Sequence, residues 1–364
     1  TRVRSSAASD VYKRQVIDIE MIDYKWLKYK IMDFQEKIEE LRKIIKDNIE
    51  PLITSDYVHL DNPYHGNIGD ILIWEGERQF LSSIKYKCLQ SSSNSWCENY
   101  LHPETVILFN GGGNFGDLYR ECQDFRLRVI EQFPNNRIIM FPQSIWYEDE
   151  SLIAKDAAVM ARHNDLTLCA RDKWSYNFLK EHFGKNKILL VPDMAFYISD
   201  EYLNKYRECV FWGQKLYLRR IDKEMDFSTI LDDLRGFDIR DWPSLERRPI
   251  CLLILRIMKR AAYYLQKITC LTVLQRFVNH LADEYAIRIV RPYLLKRGCD
   301  FISPYSEVIT TRLHGLILSI LFHKPVYYIN NTTGKLSAYV DTWHLQDILE
   351  VSPYVDKILE KHVD

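Results

Sequence analysis

The sequence predicts an α/β protein made of two Rossmann-like lobes with parallel sheets and a cleft between them. Apolar runs of strand length alternate with longer amphipathic segments, which is the pattern of strands joined by helices. The strand-length runs are mostly apolar throughout, as expected for parallel strands covered on both faces. The alternation breaks once, between residues 201 and 249, and a chain of 364 residues is long enough for a lobe on either side of that break.

The elements of the N-terminal half follow one another in a regular order. Residues 1–15, "TRVRSSAASDVYKRQ", show no apolar period, and we expect a disordered, non-native artefact there. Residues 16–50 contain an amphipathic helix, predicted over 24–49 from apolar residues at helical spacing among charges. The N-terminal lobe, 51–200, is predicted to contain the strands "YVHL", "KYKCL", "TVILFNGGG", "RIIMFPQS", "LTLCARD" and "KILLVPDMAF", with helices between most of them.

The C-terminal half is predicted to be a shorter version of the same pattern. Residues 201–249 form a crossover and 250–364 the C-terminal lobe, with strands "IVRPYL", "EVITT" and "PVYYINN", the helix "RLHGLILSILFH" and a last helix near "YVDKILEKH". The segment "RRPICLLILRIMKRAAYYLQK" is basic and amphipathic. A helix packed within its own lobe is the favoured interpretation, and peripheral association with a membrane surface is the alternative.

Composition and charge narrow the class of protein. The net charge of −1 argues against a general nucleic-acid binder, so we expect no nucleic-acid partner. The longest apolar run, "GLILSILF", is too short to cross a bilayer. The eight cysteines form no CxxC pair and no zinc-ligand spacing, and we expect buried thiols of a reducing compartment. The sequence therefore predicts a cytoplasmic protein that requires no metal.

Polar residues and glycines stand at the carboxyl ends of the predicted strands, where open α/β sheets bind ligands. In chain order these residues are Asn67, Asp70, Gly112, Gly113, Asn114, Gln143, Ser144, Arg171, Asp193, Arg312, His314 and, past the last strand, Lys335. Glycine permits close approach to the backbone, helix N-termini favour anions, and arginine can clamp a phosphate or a carboxylate. The pattern predicts an anion site between the two lobes.

Each of these residues also has a purely structural interpretation. The glycines could form only a tight turn, since they match neither a G-x-G-x-x-G fingerprint nor a P-loop. Asp70 could simply cap its helix, and Arg171 could pair with Asp172. A single histidine such as His314 is a weak signal on its own.

The motifs together identify a family. They are "GNIGDILI" (66–73), "LFNGGGNFGDLY" (108–119), "FPQSIW" (141–146), "ARDKWSYNFL" (170–179), "VPDMAF" (191–196) and "TTRLHGLILSILFHKPVYYINNTTGKLSAY" (310–339). In this order, over roughly residues 55–345, the chain resembles the polysaccharide pyruvyl transferase family. His323 stands where that family usually has glycine, and the match is poor over about 200–290.

The resemblance implies a GT-B-like fold and a reaction. The family transfers the pyruvyl group of phosphoenolpyruvate onto two hydroxyls of one sugar, making a cyclic ketal in the biosynthesis of bacterial capsule or exopolysaccharide. Phosphoenolpyruvate is a substrate, so no cofactor is expected. The resemblance leaves open whether the acceptor sugar is lipid-linked, nucleotide-linked or polymeric. Two other classes stay open, a nucleotide-sugar glycosyltransferase of the same fold and a non-catalytic glycan-binding protein.

The resemblance also implies roles for the strand-end residues. His314 would be the general acid, with Arg171 and Lys335 holding the donor anion and Arg312 as a further, fourth member. A base is needed as well, and Asp70 and Asp193 are the two candidates. The expected acceptor side comprises Asn67, Gly112, Gly113, Asn114, Gln143, Ser144 and Asp193. All of this requires that the imidazole, the guanidinium of Arg171 and the late ammonium share one pocket.

Overall fold

The structure, a computed structural model, describes residues 33–207, 214–221, 236–267, 272–330 and 335–349. The predicted artefact at 1–15, the predicted helical turns before residue 33 and the predicted last helix near "YVDKILEKH" lie outside these ranges. The described strands form two sheets, and every strand pairing in them is parallel. The predicted α/β fold with two parallel-sheet lobes is confirmed.

The first lobe is built on a seven-stranded sheet in the order β2-β1-β3-β5-β6-β7, with β4 pairing beside β5. Its strands are β1 (Tyr57–Leu60), β2 (Cys88–Ser91), β3 (Val106–Phe109), β4 (Gly112–Gly116), β5 (Ile138–Trp146), β6 (Leu166–Ala170) and β7 (Lys187–Leu190). The central strands β1, β3 and β6 are buried along their whole length. Helices cover both faces of such a sheet, which is why these strands read as continuous apolar runs.

The second lobe is built on a four-stranded sheet in the order β11-β10-β8-β9. Its strands are β8 (Lys215–Leu218), β9 (Phe237–Arg240), β10 (Glu307–Thr310) and β11 (Val326–Tyr328). The segment 201–249, predicted to be a crossover, therefore supplies two strands of this sheet. The first of them, "KLYL", is only four residues long and is followed at once by the charged segment "RRIDKEMD", so its apolar run was too brief to stand out.

Helices connect the strands. They are α1 (33–49), α2 (Ile68–Ser83), α3 (Arg120–Gln132), α4 (Glu150–Met160), α5 (Lys173–His182), α6 (Asp200–Arg207), α7 (Pro243–Glu246), α8 (Ile250–Gln266), α9 (Thr272–Tyr285), α10 (Arg291–Ile302), α11 (Leu313–Leu321) and α12 (Lys335–Thr342). Among the described helices, none is both long enough and apolar enough to cross a membrane.

The predicted strand "IVRPYL" is wrong, because this segment is helical. A π-helical turn, Ala286–Val290, joins α9 directly to α10. Pro292 lies just past this turn, and because proline has no backbone N–H it cannot donate back to the helix before it, which accounts for irregular helical bonding at this point. Val290 and Leu294 are buried on one face of the helical segment, whereas the other β-branched residue, Ile289, is 49% exposed.

The two lobes share one hydrophobic core. A single cluster of buried side chains contains residues of α1 and α2 together with residues of α10 and α11. Helix α2 approaches α10 closely, because a Cβ on Gly298 would stand 2.4 Å from Cγ2 of Ile68. This close packing brings the carboxyl ends of the two sheets toward each other.

The cysteines are less uniformly buried than predicted. Cys169 and Cys299 are buried, whereas Cys88 is exposed and the other described cysteines are intermediate, and all of the described cysteines are free. Burial raises the pKa of the Cys88 thiol to about 11 even at this more exposed position. Burial also raises the pKa of the thiols of Cys122, Cys169, Cys251 and Cys299, so these five thiols are not positioned as reactive thiolates.

Candidate active site

A cleft of about 620 Å³ lies between the two lobes at the carboxyl ends of both sheets. Its first-lobe wall comes from the segments that follow β1, β2, β3 and β6, and its second-lobe wall from those that follow β8, β9 and β10. Seven of the residues predicted from strand ends line it, namely Asn67, Asp70, Gly113, Asn114, Arg171, Arg312 and His314. The structure thus brings most of the predicted site together from segments far apart in the chain.

His314 and Arg171 meet on one carboxylate. Nε2 of His314 lies 3.3 Å from Oδ2 of Asp193, and Nη1 of Arg171 donates to the same oxygen at 2.9 Å. All three side chains are buried, and the contact crosses from the first lobe to the second. The Asp193 carboxylate at Nε2 fixes the orientation of the imidazole, and Nδ1 is the ring nitrogen that does not contact Asp193.

The electrostatics of Asp193 fit this arrangement. Burial alone would raise the pKa of its carboxyl, but the His314 ring and the Arg171 guanidinium together hold that pKa well below its usual range. The Asp193 side chain also caps a 3-10 turn, because Oδ1 accepts from the N–H of Ala195 at 2.9 Å. The group is therefore a fixed carboxylate at neutral pH.

Arg171 is held rigidly from behind. Its Nε donates to Oγ of Ser144 at 2.8 Å, and that hydroxyl donates to Oδ2 of Asp172 at 2.6 Å. The indole N–H of Trp343 donates to the carbonyl of Arg171 at 2.7 Å. No described residue accepts a hydrogen bond from Nη2, which lies beside Gly113 on the cleft wall. This edge of the guanidinium is the part directed toward a ligand.

Two glycines leave room for the charged side chains. A Cβ on Gly69 would stand 2.6 Å from Nδ1 of His314 and 3.1 Å from its Cβ, so any larger residue in the first turn of α2 would displace the whole imidazole. A Cβ on Gly113 would stand 3.1 Å from Nη2 of Arg171. Both glycines occur in the motifs quoted above, and close packing against the site is the physical reason for them.

Arg312 lines the cleft but is strongly engaged. Its Nε and Nη2 donate to the two carboxylate oxygens of Asp241 at 2.5 and 2.6 Å, in a bidentate pair buried on both sides. Asp241 follows β9 and also accepts from the backbone N–H of Ile221. The pair fixes the guanidinium at the N-terminus of α11, where its charge contributes to the field in the cleft.

Asp70 and Asn67 form the opposite side of the cleft. Nδ2 of Asn67 donates to Oδ2 of Asp70 at 2.8 Å, while Oδ1 of Asn67 caps α2 by accepting from the N–H of Gly69 at 3.1 Å. His65 approaches the same Asp70 oxygen at 3.6 Å. The Asp70 side chain is 25% exposed, so its carboxylate is open to a ligand in the cleft.

Asn114 is held by a buried arginine. Nη2 of Arg126 donates to Oδ1 of Asn114 at 2.6 Å and pairs with Asp61 at 2.6 Å. Because the side-chain oxygen is taken by this donor, the amide nitrogen of Asn114 is the group left for the cleft. Sequence reasoning did not find Arg126, which lies in the middle of α3.

Other predicted residues lie behind the cleft wall. Gly112, Gln143, Ser144 and Asp193 are absent from its lining. Nε2 of Gln143 donates to the carbonyl of Asn110 at 2.7 Å, and Gly112 has a φ of +134° that favours glycine. These four residues lie behind the residues that line the cleft. Direct contacts between them and the acceptor stay a prediction.

The position of Lys335 is described only in part. It begins α12, and the next residue, Leu336, lines the cleft, but the Lys335 side chain lies outside what the structure describes. Its donor-binding role stays a prediction. Within the described ranges, no three His, Cys, Asp or Glu side chains are placed to hold a metal ion.

Several contributors were missed from the sequence. Arg220 lines the cleft just after β8, and the strand-end rule would have found it had "KLYL" been recognised as a strand. Tyr339 and Trp343 hold the backbone of Asp193 and Arg171, and the amide of Asp193 donates to the Tyr339 hydroxyl at 3.0 Å. Tyr339 lies in α12 and Trp343 directly follows it, and neither carries a local sequence signal for this function.

Comparison with known proteins decides the family. The profile described as "Polysaccharide pyruvyl transferase" matches residues 67–333, which include the cleft residues from Asn67 to His314. The chain belongs to the polysaccharide pyruvyl transferase family. The predicted family membership is thereby confirmed, and the cleft is the candidate active site of a polysaccharide pyruvyl transferase family member.

Individual relatives agree with this assignment. EpsO from Bacillus subtilis (strain 168) is 29% identical over 318 residues, which cover 87% of this chain and 92% of EpsO. Pyruvyl transferase 1 from Schizosaccharomyces pombe is 28% identical over 323 residues, covering 81% of this chain and 72% of the relative. The crystal structure of protein KP1_0663 from Klebsiella pneumoniae superposes with a TM-score of 0.53 at 20% identity, over 82% of this chain and 93% of that one. That similarity shows the shared fold.

Proposed function

We propose that the protein transfers the pyruvyl group of phosphoenolpyruvate onto two hydroxyls of one sugar, forming a cyclic ketal and releasing phosphate. The observation that carries the proposal is the convergence of His314 and Arg171 on Asp193 at the wall of an interlobe cleft. Arg220 and Arg312 line the same cleft. A small donor with both a phosphate and a carboxylate requires such a cluster of cations and a proton donor beside it.

The reaction needs one proton at the methylene carbon of the donor. Protonation of C3 makes C2 electrophilic, and a sugar hydroxyl oxygen then bonds to C2 while its own proton leaves to a base. In this proposal, His314 gives the proton to C3, and Asp193 orients the ring and stabilises its charged form. A second hydroxyl of the same sugar then bonds to C2 as the C2–O bond to phosphate breaks, and its proton passes to the now neutral ring of His314, which restores the acid.

Asp70 is the better of the two candidate bases. Its carboxylate is open to the cleft, whereas Asp193 is 1% exposed and already accepts from Arg171 and Ala195. Asn67 holds Asp70 in place from the N-terminus of α2. We therefore assign removal of a hydroxyl proton to Asp70 and acceptor binding to its side of the cleft, with Asn67 and Asn114.

The cations act on the leaving group. Nη2 of Arg171 is the guanidinium edge beside the cleft wall at Gly113, and the bound donor phosphate would lie against it. Arg220 and Arg312 add positive charge on the second-lobe side, which offsets the charge that develops on departing phosphate. Lys335 is proposed to join them from the start of α12. The cytoplasmic location and a surface polysaccharide as the final product belong to the same proposal.

The test is donor-dependent modification of a sugar. Phosphoenolpyruvate and candidate acceptors are incubated with the protein, and the expected product gains the mass of one pyruvate less one water, with one phosphate released per ketal. His314→Gln should abolish the product, and Arg120→Lys should not, because Arg120 pairs with Asp156 and is not part of the cleft lining. Transfer from a nucleotide sugar with none from phosphoenolpyruvate would instead establish a glycosyltransferase. Glycan binding without turnover of either donor would establish a binding protein.

A further inference from the structure

Helix α8 exposes an apolar row along its outer side. Its inner side is buried against the protein through Leu252, Leu255 and Ala262. The exposed large apolar residues recur at helical spacing and are Ile250, Leu253, Ile254, Ile257 and Tyr264. Ile250 is 75% exposed at the beginning of the helix. The outer side of α8 therefore carries an apolar row that is open to solvent.

Helix α9 packs against α8 and repeats the pattern. Val273 is 80% exposed, and Leu274, Phe277 and Leu281 continue the row one and two turns further on. We call α8 and α9 together the hairpin. About half of the large apolar side chains that are exposed in the described part of the chain belong to it. Scattered exposed apolar residues are ordinary, but a concentration of this kind marks an interaction surface.

The charges beside the apolar row have one sign. Residues 247–267 contain six arginines and lysines and no aspartate or glutamate. Arg256, Arg260 and Lys267 are separated by four and seven positions, which places them on one line along α8. All three are exposed. The surface thus combines an apolar row with a parallel basic row.

We propose that the hairpin binds the surface of an anionic lipid bilayer. The apolar row would enter the boundary between headgroups and acyl chains, and the basic row would contact lipid phosphates. A second copy of the chain fits less well, because an isologous contact would bring the two basic rows near each other with no acidic residue in this segment to offset them. The hairpin lies on the membrane in this proposal and does not cross it.

The hairpin borders the cleft. The side chain of Leu252 packs at Gly66, where a Cβ would stand 3.2 Å from Cδ1 of the leucine. Gly66 directly precedes the residue that caps α2 at the cleft wall. Further along α8, Nζ of Lys259 donates to Oγ of Ser95 at 2.8 Å, in the loop after β2 that contributes to the same wall. A membrane bound by the hairpin would therefore lie beside the cleft.

This position has a consequence for the acceptor, and here the inference rests on the proposed function. An acceptor sugar carried on a membrane lipid would be held at the bilayer surface, at the level of the cleft rim. We therefore infer that the acceptor is lipid-linked. A hydroxyl pair on a freely diffusing sugar would gain nothing from the hairpin.

Vesicle binding tests the surface without any turnover. The purified chain is sedimented with vesicles of phosphatidylcholine, with and without phosphatidylglycerol, and binding should be strong only when the anionic lipid is present. Ile257→Glu with Phe277→Glu should weaken partition by at least about tenfold, since the membrane would no longer bury these two apolar side chains. Arg256→Gln with Arg260→Gln and Lys267→Gln should weaken binding to the anionic vesicles on the order of a hundredfold.

The matched control is Trp174→Glu, which places the same charge on an exposed aromatic residue of α5, a helix that packs against β6, β7 and α12, and it should leave binding unchanged. Circular dichroism and thermal unfolding check that each variant is folded. Equal binding of the wild-type chain to both vesicle types, or none to either, would overturn the proposal. So would a dimer in sedimentation velocity that the Ile257→Glu and Phe277→Glu changes abolish.

The lipid-linked acceptor is tested separately. The Ile257→Glu, Phe277→Glu protein should lose turnover on a sugar lipid embedded in vesicles and keep turnover on a short-chain, water-soluble analogue of it. Equal loss on both acceptors would refute the inferred role of the membrane. Absence of turnover by the wild-type chain on every acceptor would refute the proposed function and leave the vesicle-binding result standing.

Discussion

The imidazole of His314 and the guanidinium of Arg171 share one acceptor, Oδ2 of Asp193, although 143 positions separate them in the chain numbering. The proton donor and the anion-binding group are thus fixed relative to each other by a single carboxylate. Substitution of Asp193 should therefore affect both groups. Substitution of His314 should act mainly on kcat, and substitution of Arg171 mainly on the KM for the donor.

His314→Gln should lower kcat on the order of 10²–10⁴-fold, because the general acid is lost while hydrogen bonding and volume are roughly kept. Asp193→Asn should lower kcat by about 10²-fold, since the ring loses its orienting carboxylate. The two changes combined should cost little more than His314→Gln alone. Steady-state kinetics with phosphoenolpyruvate as the varied substrate measures all three.

Asp156→Asn is the control for the loss of a buried carboxylate. Asp156 is 1% exposed and pairs with Arg120 at 2.8 Å, outside the cleft. The Asp156→Asn change should reduce the free energy of unfolding and leave kcat within a few-fold of the wild-type value. Fully additive effects of His314→Gln and Asp193→Asn would show that the two side chains do not act as a unit.

Gly69→Ala should reduce kcat by about 10- to 100-fold with the fold retained. The added methyl group would stand 2.6 Å from Nδ1 of His314, so the imidazole must move, and misplacement of a catalytic group by about 1 Å is costly. Gly113→Ala crowds Arg171 instead and should act mainly on the KM for the donor. Unchanged kcat in the Gly69→Ala protein would mean that the position of the imidazole is not critical.

Arg171→Lys should raise the KM for phosphoenolpyruvate by about tenfold or more. A lysine ammonium cannot contact Ser144, Asp193 and a ligand at once, so one charge-assisted hydrogen bond to the donor is lost. Initial rates over a range of donor concentrations give the value. Arg120→Lys should leave the donor KM unchanged, and an equal rise in both variants would remove Arg171 from the donor site.

Asp241→Ala should destabilise the protein by about 3 kcal/mol, because it removes the carboxylate that holds the buried guanidinium of Arg312. Urea unfolding followed by fluorescence gives the free energy of unfolding. Arg312→Met combined with Asp241→Leu should cost less than Asp241→Ala, since no buried charge remains unpaired. A double variant less stable than Asp241→Ala would contradict this account.

Acid should remove the stability contributed by Asp193. Because its folded-state pKa is depressed by His314 and Arg171, its contribution is full above the ordinary aspartate pKa of about 4 and declines as the pH falls below that value. The difference in free energy of unfolding between the wild type and Asp193→Asn should therefore shrink as the pH is lowered from 5 to 3. Asp61 and Glu77, whose pKa values are raised by burial, are present in both proteins and cancel in the difference.

Most of the first lobe could be predicted from the sequence. Its strands are buried on both faces, so β1, β3 and β6 read as unbroken apolar runs, and the residues directly after them identified Arg171 and Asn114 as cleft residues. Parallel-strand topology places such residues at one edge of a sheet without any knowledge of the rest of the fold. The second-lobe strand β10 gave Arg312 and His314 by the same rule.

The parts of the fold and of the candidate site that were not predicted depend on tertiary contacts. Strand β8 is only four residues long and runs directly into a charged segment, so it was not predicted, and Arg220, which follows it, was not predicted as a cleft residue. Asp241 looked like a loop residue until its pairing with Arg312 was visible. The function of Tyr339 and Trp343 arises only when the C-terminal helix folds back onto β6 and β7, and no local pattern encodes that return.

The proposed general acid depends on contact between the lobes. His314 belongs to α11 of the second lobe, and the carboxylate that orients it follows β7 of the first. Any rotation that parts the lobes also pulls the imidazole from Asp193 and from its seat against Gly69. Contact between the lobes therefore assembles the proton donor with its orienting carboxylate, and the oriented acid would be lost together with that contact.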